Sequence, residues 1–155
     1  MNLNKRSIIF LMITIAWICV IFSFSMQNSE KSSQLSGGIV ATIVEWICPE
    51  GFEHTDLLET IIRKGAHFTE FFILGILLSQ TVKEAMSKRR VFLPWLAGTL
   101  VACCDETIQL FSDGRAGAIV DVMLDSSGVL CGCALLYLLL KIKENARNEK
   151  IREVI

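Results

Sequence analysis

Acids, bases and a histidine recur in this sequence inside stretches that are otherwise apolar. Arg63, Lys64, His67 and Glu70 open one such stretch, and Asp105, Glu106 and Gln109 close the next. Asp121 and Asp125 open the last, and Arg115 sits in the short connection before it. Carboxylates near a histidine are the material of general acid–base chemistry, and an imidazole takes or gives a proton near neutral pH. Arg63, Lys64 and Arg115 are groups that hold phosphate and other anions. Spacing sorts them onto faces. At 100° per residue, Lys64, His67 and Glu70 fall within an arc of about 120°, while Asp105 stacks with Gln109 and Asp121 with Asp125 as i, i+4 pairs. Gly128 and Gly132 continue the Asp121–Asp125 face, and a Gly-x-x-x-Gly pair admits a neighbouring helix at close range. The acidic stripe is therefore predicted to face other helices.

The elements that position these residues follow from how charge is distributed. The chain has 155 residues, expected to form a single domain over 1–155. With 15 basic and 16 acidic residues the net charge is -1, which gives no basic patch for nucleic acid. A hydrophobic fraction of 52% excludes a disordered chain. Ile8–Phe24 and Val129–Leu140 contain no charge at all, and the charges are swept into the gaps. A spanning helix needs roughly 20 mostly apolar residues. Four segments meet that length, at about residues 7–25, 65–82, 91–111 and 118–140, and a bilayer forces each to be helical because backbone polar groups find no water there. The expected fold is an all-α membrane protein, a four-transmembrane-helix bundle.

The flanking cations orient it. With the N-terminus inside, Lys5, Arg6, Lys83, Lys88, Arg89, Arg90, Lys141, Lys143, Arg147, Lys150 and Arg152 all lie on the inner side, and only Lys31, Arg63, Lys64 and Arg115 lie outside. The positive-inside rule then predicts a multi-pass protein with both termini cytoplasmic. The first apolar run has 17 residues, longer than a cleaved signal's core, and is read as a retained anchor. In the outer loop, Leu35, Ile39, Val40, Ile43, Val44 and Ile47 recur at helical spacing, predicting an amphipathic interfacial helix with Trp46 at headgroup level, ended by Pro49 and Gly51. Asp56 followed by Glu59 resembles a helix start leading into the second span. The tail, 143–155, is charged and expected on the cytoplasmic side as a frayed helix.

At about 1.5 Å rise per residue, the ionisable residues of the spans all fall within roughly 10 Å of the outer surface. Glu70, Asp105, Glu106, Asp121 and Asp125 are acids at span depth, against the fixed cations Arg63, Lys64 and Arg115. Unpaired charge at that depth is costly. Pairing, protonation or a bound cation would each relieve it. Three readings follow: a structural ion-pair network, a ligand or substrate site open to the outer leaflet, or a dedicated metal site. His67-x-x-Glu70 has ligand spacing, but one histidine among carboxylates is not a metal signature, so no metal is assigned. Neither a Ser-His-Asp set nor a phosphate loop is readable, and the cofactor requirement stays open.

These residues resemble the VanZ-like family of membrane proteins. Arg63-Lys64-Gly65-Ala66-His67-Phe68-Thr69-Glu70-Phe71 is similar to that family's RK-x-x-H-F-x-E-Y element, and Asp105-Glu106-Thr107-Ile108-Gln109-Leu110-Phe111 to its D-E-x-x-Q-x-F. Gly114-Arg115, Asp121, Asp125 and Gly128 follow in the same order, and Phe24-Ser25-Met26-Gln27 is similar as well. The resemblance covers about residues 8–142. Asp113 stands where the family has proline, and Phe71 where it has tyrosine. The resemblance implies a bacterial cell-membrane protein of a family named for low-level resistance to the glycopeptide teicoplanin. The expectation is a protein that binds or modifies a cell-envelope component, with membrane lipids and a lipid-linked cell-wall precursor or anionic headgroup as partners. His67, Glu70, Asp105, Glu106, Asp121 and Asp125 are the candidate catalytic residues, and Arg63, Lys64, Gln109 and Arg115 the candidate ligand-binding ones. Two alternatives stand beside it: an enzyme acting on a lipid-linked phosphate, and a scaffold without catalysis.

Overall fold

The computed structural model describes residues 5–27, 34, 37–42, 44, 55–86, 90–112 and 118–152. Among them no strand occurs, and four long helices account for most of the chain: α1 (Lys5–Ser25), α2 (Thr55–Met86), α3 (Phe92–Leu110) and α4 (Ile119–Arg152). Each coincides to within a residue with, or contains, one of the apolar segments expected from the sequence, and α2 and α4 run further. α2 begins at Thr55, so the Asp56 start belongs to the same helix as the polar cluster. α4 continues unbroken through the charged segment to Arg152. At about 1.5 Å per residue its 34 residues extend about 50 Å, well beyond a hydrocarbon core of about 30 Å. Of the expected interfacial helix, residues 37–42 are helical and Val40 is buried; Trp46, Pro49 and Gly51 lie outside the described residues.

α1 and α4 are each long and apolar enough to cross a membrane. Composition alone does not place α2 or α3 in that class, because His67 and Glu70 in α2 and Asp105, Glu106 and Gln109 in α3 lower their hydropathy. α1 spends its apolar residues outward. Ile8, Ile9, Leu11, Met12, Ile13, Ile15, Val20 and Phe24 are exposed, while its buried residues are Ser7, Thr14, Ile21 and Ser25. This is the reverse of a soluble amphipathic helix, and a surface of that kind is unusual in water.

α2 is the hub, touching all three other helices and packing most extensively against α4. Glycines set that contact. A Cβ on Gly132 would collide with the Phe72 carbonyl of α2, one on Gly128 would stand 2.7 Å from the Phe68 carbonyl, and one on Gly75 would collide with the Val129 carbonyl of α4. Gly128-x-x-x-Gly132 thus faces α2, as its spacing predicts. Phe71 and Leu74 of α2, Ile21 of α1, Ala102 of α3, and Val129 and Cys133 of α4 form the buried core. Polar side chains tie the remaining pairs. Thr14 and Thr81 share a 2.9 Å hydrogen bond between α1 and α2, and Trp17 Nε1 donates to the Glu70 carbonyl at 3.0 Å. Trp95 Nε1 donates to Ser126 Oγ at 3.1 Å, and Thr99 shares a 2.8 Å bond with the same hydroxyl, joining α3 to α4.

Candidate functional site

Beyond the glycine contact, α2, α3 and α4 turn their polar faces toward one another. Two carboxylates meet there. Asp105 of α3 is fully buried, and Asp125 of α4 is 1% exposed. Asp105 is held at both oxygens: Ser25 Oγ, at the end of α1, donates to Oδ1 at 2.6 Å, and Gln109 Nε2, one turn along α3, donates to Oδ2 at 2.9 Å. Asp125 is different. Neither of its oxygens meets a hydrogen-bond donor among the described residues. His67 of α2 approaches it, with Nδ1 3.9 Å from Oδ2, which is ion-pair reach but not a hydrogen bond. A ligand atom of His67, one of Asp105 and one of Asp125 all lie within 4.8 Å of each other. The His67 side chain is 22% exposed, so it spans from the buried pair toward the surface.

The rest of the polar set surrounds this centre in simpler roles. Lys64 Nζ lies 2.7 Å from Asp121 Oδ1, with side chains 43% and 35% exposed. That is a surface ion pair one turn outward from Asp125 on the same helix. Glu106 Oε1 accepts the Ala118 amide at 2.6 Å. The first amides of a helix have no intrahelical acceptor, so Glu106 caps the approach to α4 from the neighbouring helix. Arg63 is exposed on α2. Arg115 and Asp113 lie outside the described residues. The structure therefore brings His67, Asp105, Gln109 and Asp125 into one cluster, places Lys64 and Asp121 beside it, and gives Glu106 a capping bond. Glu70, which shares ligand spacing with His67 in the sequence, is not in the convergent group; its carbonyl is occupied by Trp17.

Electrostatically the cluster is unbalanced. Among the described residues no lysine or arginine forms an ion pair with Asp105 or Asp125, and His67 is the basic group within ion-pair reach of Asp125. A buried ionised carboxylate without compensation costs several kcal/mol. Asp105 is offset by two donors, while Asp125 has none among the described residues.

Sequence reasoning missed Ser25 as a contributor to the site, along with Ser112, whose hydroxyl donates to the Ser25 carbonyl at 3.0 Å. A signal existed. Ser7, Thr14, Ile21 and Ser25 lie seven, seven and four residues apart, which is one face of a helix. Hydroxyls confined to one face of an apolar span mark the side that meets protein.

A family model described as VanZ/LLP1 matches residues 10–141, which is most of the chain and includes every residue of the cluster. No curated protein and no solved structure matches.

Proposed function

Since this chain belongs to the VanZ/LLP1 family, we propose that it is a four-span membrane protein with both termini cytoplasmic that binds or modifies a cell-envelope component at an outward-facing charged site. The topology is supported by two helices of spanning length, by the apolar outer surface of α1, and by the excess of Lys and Arg in the segments that would face inward. In that orientation α1 and α3 end, and α2 and α4 begin, at the outer leaflet, where the polar cluster lies.

One observation carries the functional reading. His67 stands between a buried carboxylate and the surface, 3.9 Å from Asp125 and still partly exposed. An imidazole backed by a carboxylate and reachable from outside is the arrangement of a general acid or base. Lys64 and the exposed Arg63 lie on the same helix, placed to attract an anionic headgroup or the phosphate of a lipid-linked precursor. Asp105, fixed by Ser25 and Gln109, supplies the rigid wall of the site. Occupying or altering such a precursor would change how teicoplanin reaches its target, which is how we connect the site to glycopeptide resistance.

The scaffold reading is favoured by two observations, the Lys64–Asp121 pair and the Glu106 cap, which need no ligand to account for them. It does not account for Asp125, which holds nothing together by hydrogen bond.

The test is to reconstitute the protein in vesicles carrying a polyprenyl-diphosphate precursor and to follow binding and product by mass spectrometry, alongside teicoplanin susceptibility of cells expressing it. His67→Ala is expected to keep the helical fold and lose product or resistance. A His67→Ala protein that matches wild type in binding, product and resistance overturns the reading.

A further inference from the structure

The structure assigns a divalent transition-metal site to His67, Asp105 and Asp125. The inference rests on the arrangement of these three side chains and does not require the envelope function proposed above.

Three facts converge on it. The first is the donor set. One imidazole nitrogen and two carboxylates, from three different helices, bring ligand atoms within 4.8 Å of one another. Tetrahedral ligands at about 2.1 Å from one cation stand about 3.4 Å apart, so the His67–Asp125 separation of 3.9 Å must close by about half an ångström, and no pair in the group starts further apart than 4.8 Å. The second is Asp125. Its carboxylate is 1% exposed, has no hydrogen-bond donor among the described residues and points into the cluster. A buried carboxyl group without a donor is relieved by a proton or by a cation, and no lysine or arginine among the described residues stands within ion-pair reach of it. The third is the preparation of Asp105. Ser25 and Gln109 each donate to one of its oxygens, which fixes its rotamer and leaves a second acceptor direction on each oxygen. Donors behind a ligating carboxylate are the usual support of a metal ligand.

The ligand types select the ion. Carboxylate alone suits Mg²⁺ or Ca²⁺, whereas an imidazole shifts preference to Mn²⁺, Fe²⁺ or Zn²⁺. Three protein ligands leave coordination positions open, and His67 marks the side from which water or an anionic oxygen would enter. A metal here also resolves an electrostatic difficulty, since an acid-rich cluster repels an anion that a bound cation would attract.

The experiment uses the full chain in detergent, stripped with chelator and returned to MnCl₂, ZnCl₂ or MgCl₂. We expect about one equivalent of Mn²⁺ or Zn²⁺ by elemental analysis, a raised thermal midpoint with those ions and none with Mg²⁺, and a nitrogen coupling from imidazole in the pulsed electron paramagnetic resonance of the Mn²⁺ form. Asp125→Asn and His67→Ala are expected to weaken Mn²⁺ binding by tenfold or more, and His67→Ala to remove the nitrogen coupling. Asp121→Asn, one turn away, is expected to leave uptake unchanged. If Asp125→Asn does not fold, the partly exposed His67 variant carries the test. No stoichiometric metal in wild type, uptake equal in all variants, or a nitrogen coupling that survives His67→Ala each overturns the assignment. Metal binding without any effect of precursor would leave this site standing and the envelope function fallen.

Discussion

Asp121 and Asp125 stand one turn apart on the same helix and face the same neighbour, yet their surroundings are opposite. Asp121 is one-third exposed and meets Lys64 at 2.7 Å. Asp125, about 6 Å deeper along the axis, is buried without a hydrogen bond among the described residues, beside a histidine at 3.9 Å. The shallow acid has a lysine at ion-pair distance, and at the surface that pair costs little to bring together. Among the described residues the deep acid has no lysine or arginine partner. An ion-pair scaffold would place its best-matched charges where water is absent, because breaking a buried pair is what costs most. This bundle does the reverse. Its plain ion pair is at the rim, and at the centre is a carboxylate without a hydrogen bond among the described residues, which is the observation behind the proposed site.

The largest expected effect separates the two acids directly. Asp125→Asn should weaken Mn²⁺ binding by tenfold or more and remove the resistance or turnover phenotype, while the thermal midpoint of the metal-free protein stays near wild type, because no hydrogen bond to Asp125 among the described residues is lost. A large loss of metal-free stability in that variant, with metal uptake intact, would make Asp125 a scaffold residue after all.

Next is the contact that holds both acids in register. Gly132 has no room for a side chain: a Cβ meets the Phe72 carbonyl, which belongs to backbone and cannot swing aside. Gly132→Ala should cost about 1–3 kcal/mol, as overpacking does, and should impair both the deep cluster and the Lys64–Asp121 pair by pushing α4 off α2. Gly65, with open space around it, is the control, and Gly65→Ala should leave both acids undisturbed. Thermal melts in detergent and metal titration of the two variants decide it.

Ser25→Ala tests the support of the deep site. It removes the 2.6 Å bond to Asp105 without touching Asp121. A hydrogen bond to a charged group is worth about 1.5–3 kcal/mol, and loss of a donor behind a metal ligand lowers affinity by roughly 10–100-fold. The expected pattern is weaker Mn²⁺ binding by isothermal titration with the nitrogen signal of His67 retained. Unchanged affinity would remove Asp105 from the ligand set.

How much of this could be read from the residues depends on whether the information was local. Helix length, apolar faces and the Gly128–Gly132 contact follow from periodicity within one segment, and each is legible because a helix repeats itself. The depth shared by the acids is equally local. The pairing is not. His67 and Glu70 are neighbours in sequence, so spacing puts them together, but the group that converges draws its members from α2, α3 and α4. Which acid on another helix reaches His67 depends on helix rotation and separation, and those are set by contacts such as Gly132 on Phe72. Ser25 escaped for a related reason. At the end of an apolar run a serine reads as a boundary, and only its phase with Ser7 and Thr14 shows that it faces protein. Arg115 lies outside the described residues, so its place beside the site rests on sequence alone.

The smallest effect belongs to the rim. Exposed ion pairs contribute about 0–1 kcal/mol, and Lys64 and Asp121 are exposed enough to fall in that range. Lys64→Met and Asp121→Asn should each shift the thermal midpoint slightly, and a double-mutant cycle should return a coupling below about 1 kcal/mol that shrinks as salt is raised. Function should separate the partners. If Lys64 only pairs with Asp121, both single variants behave alike in the vesicle assay. If Lys64 attracts the anionic component, Lys64→Met weakens precursor binding while Asp121→Asn strengthens it, because freeing the ammonium from its carboxylate makes it available to the ligand. Opposite signs from the two halves of one salt bridge would show that even the rim pair is part of the site.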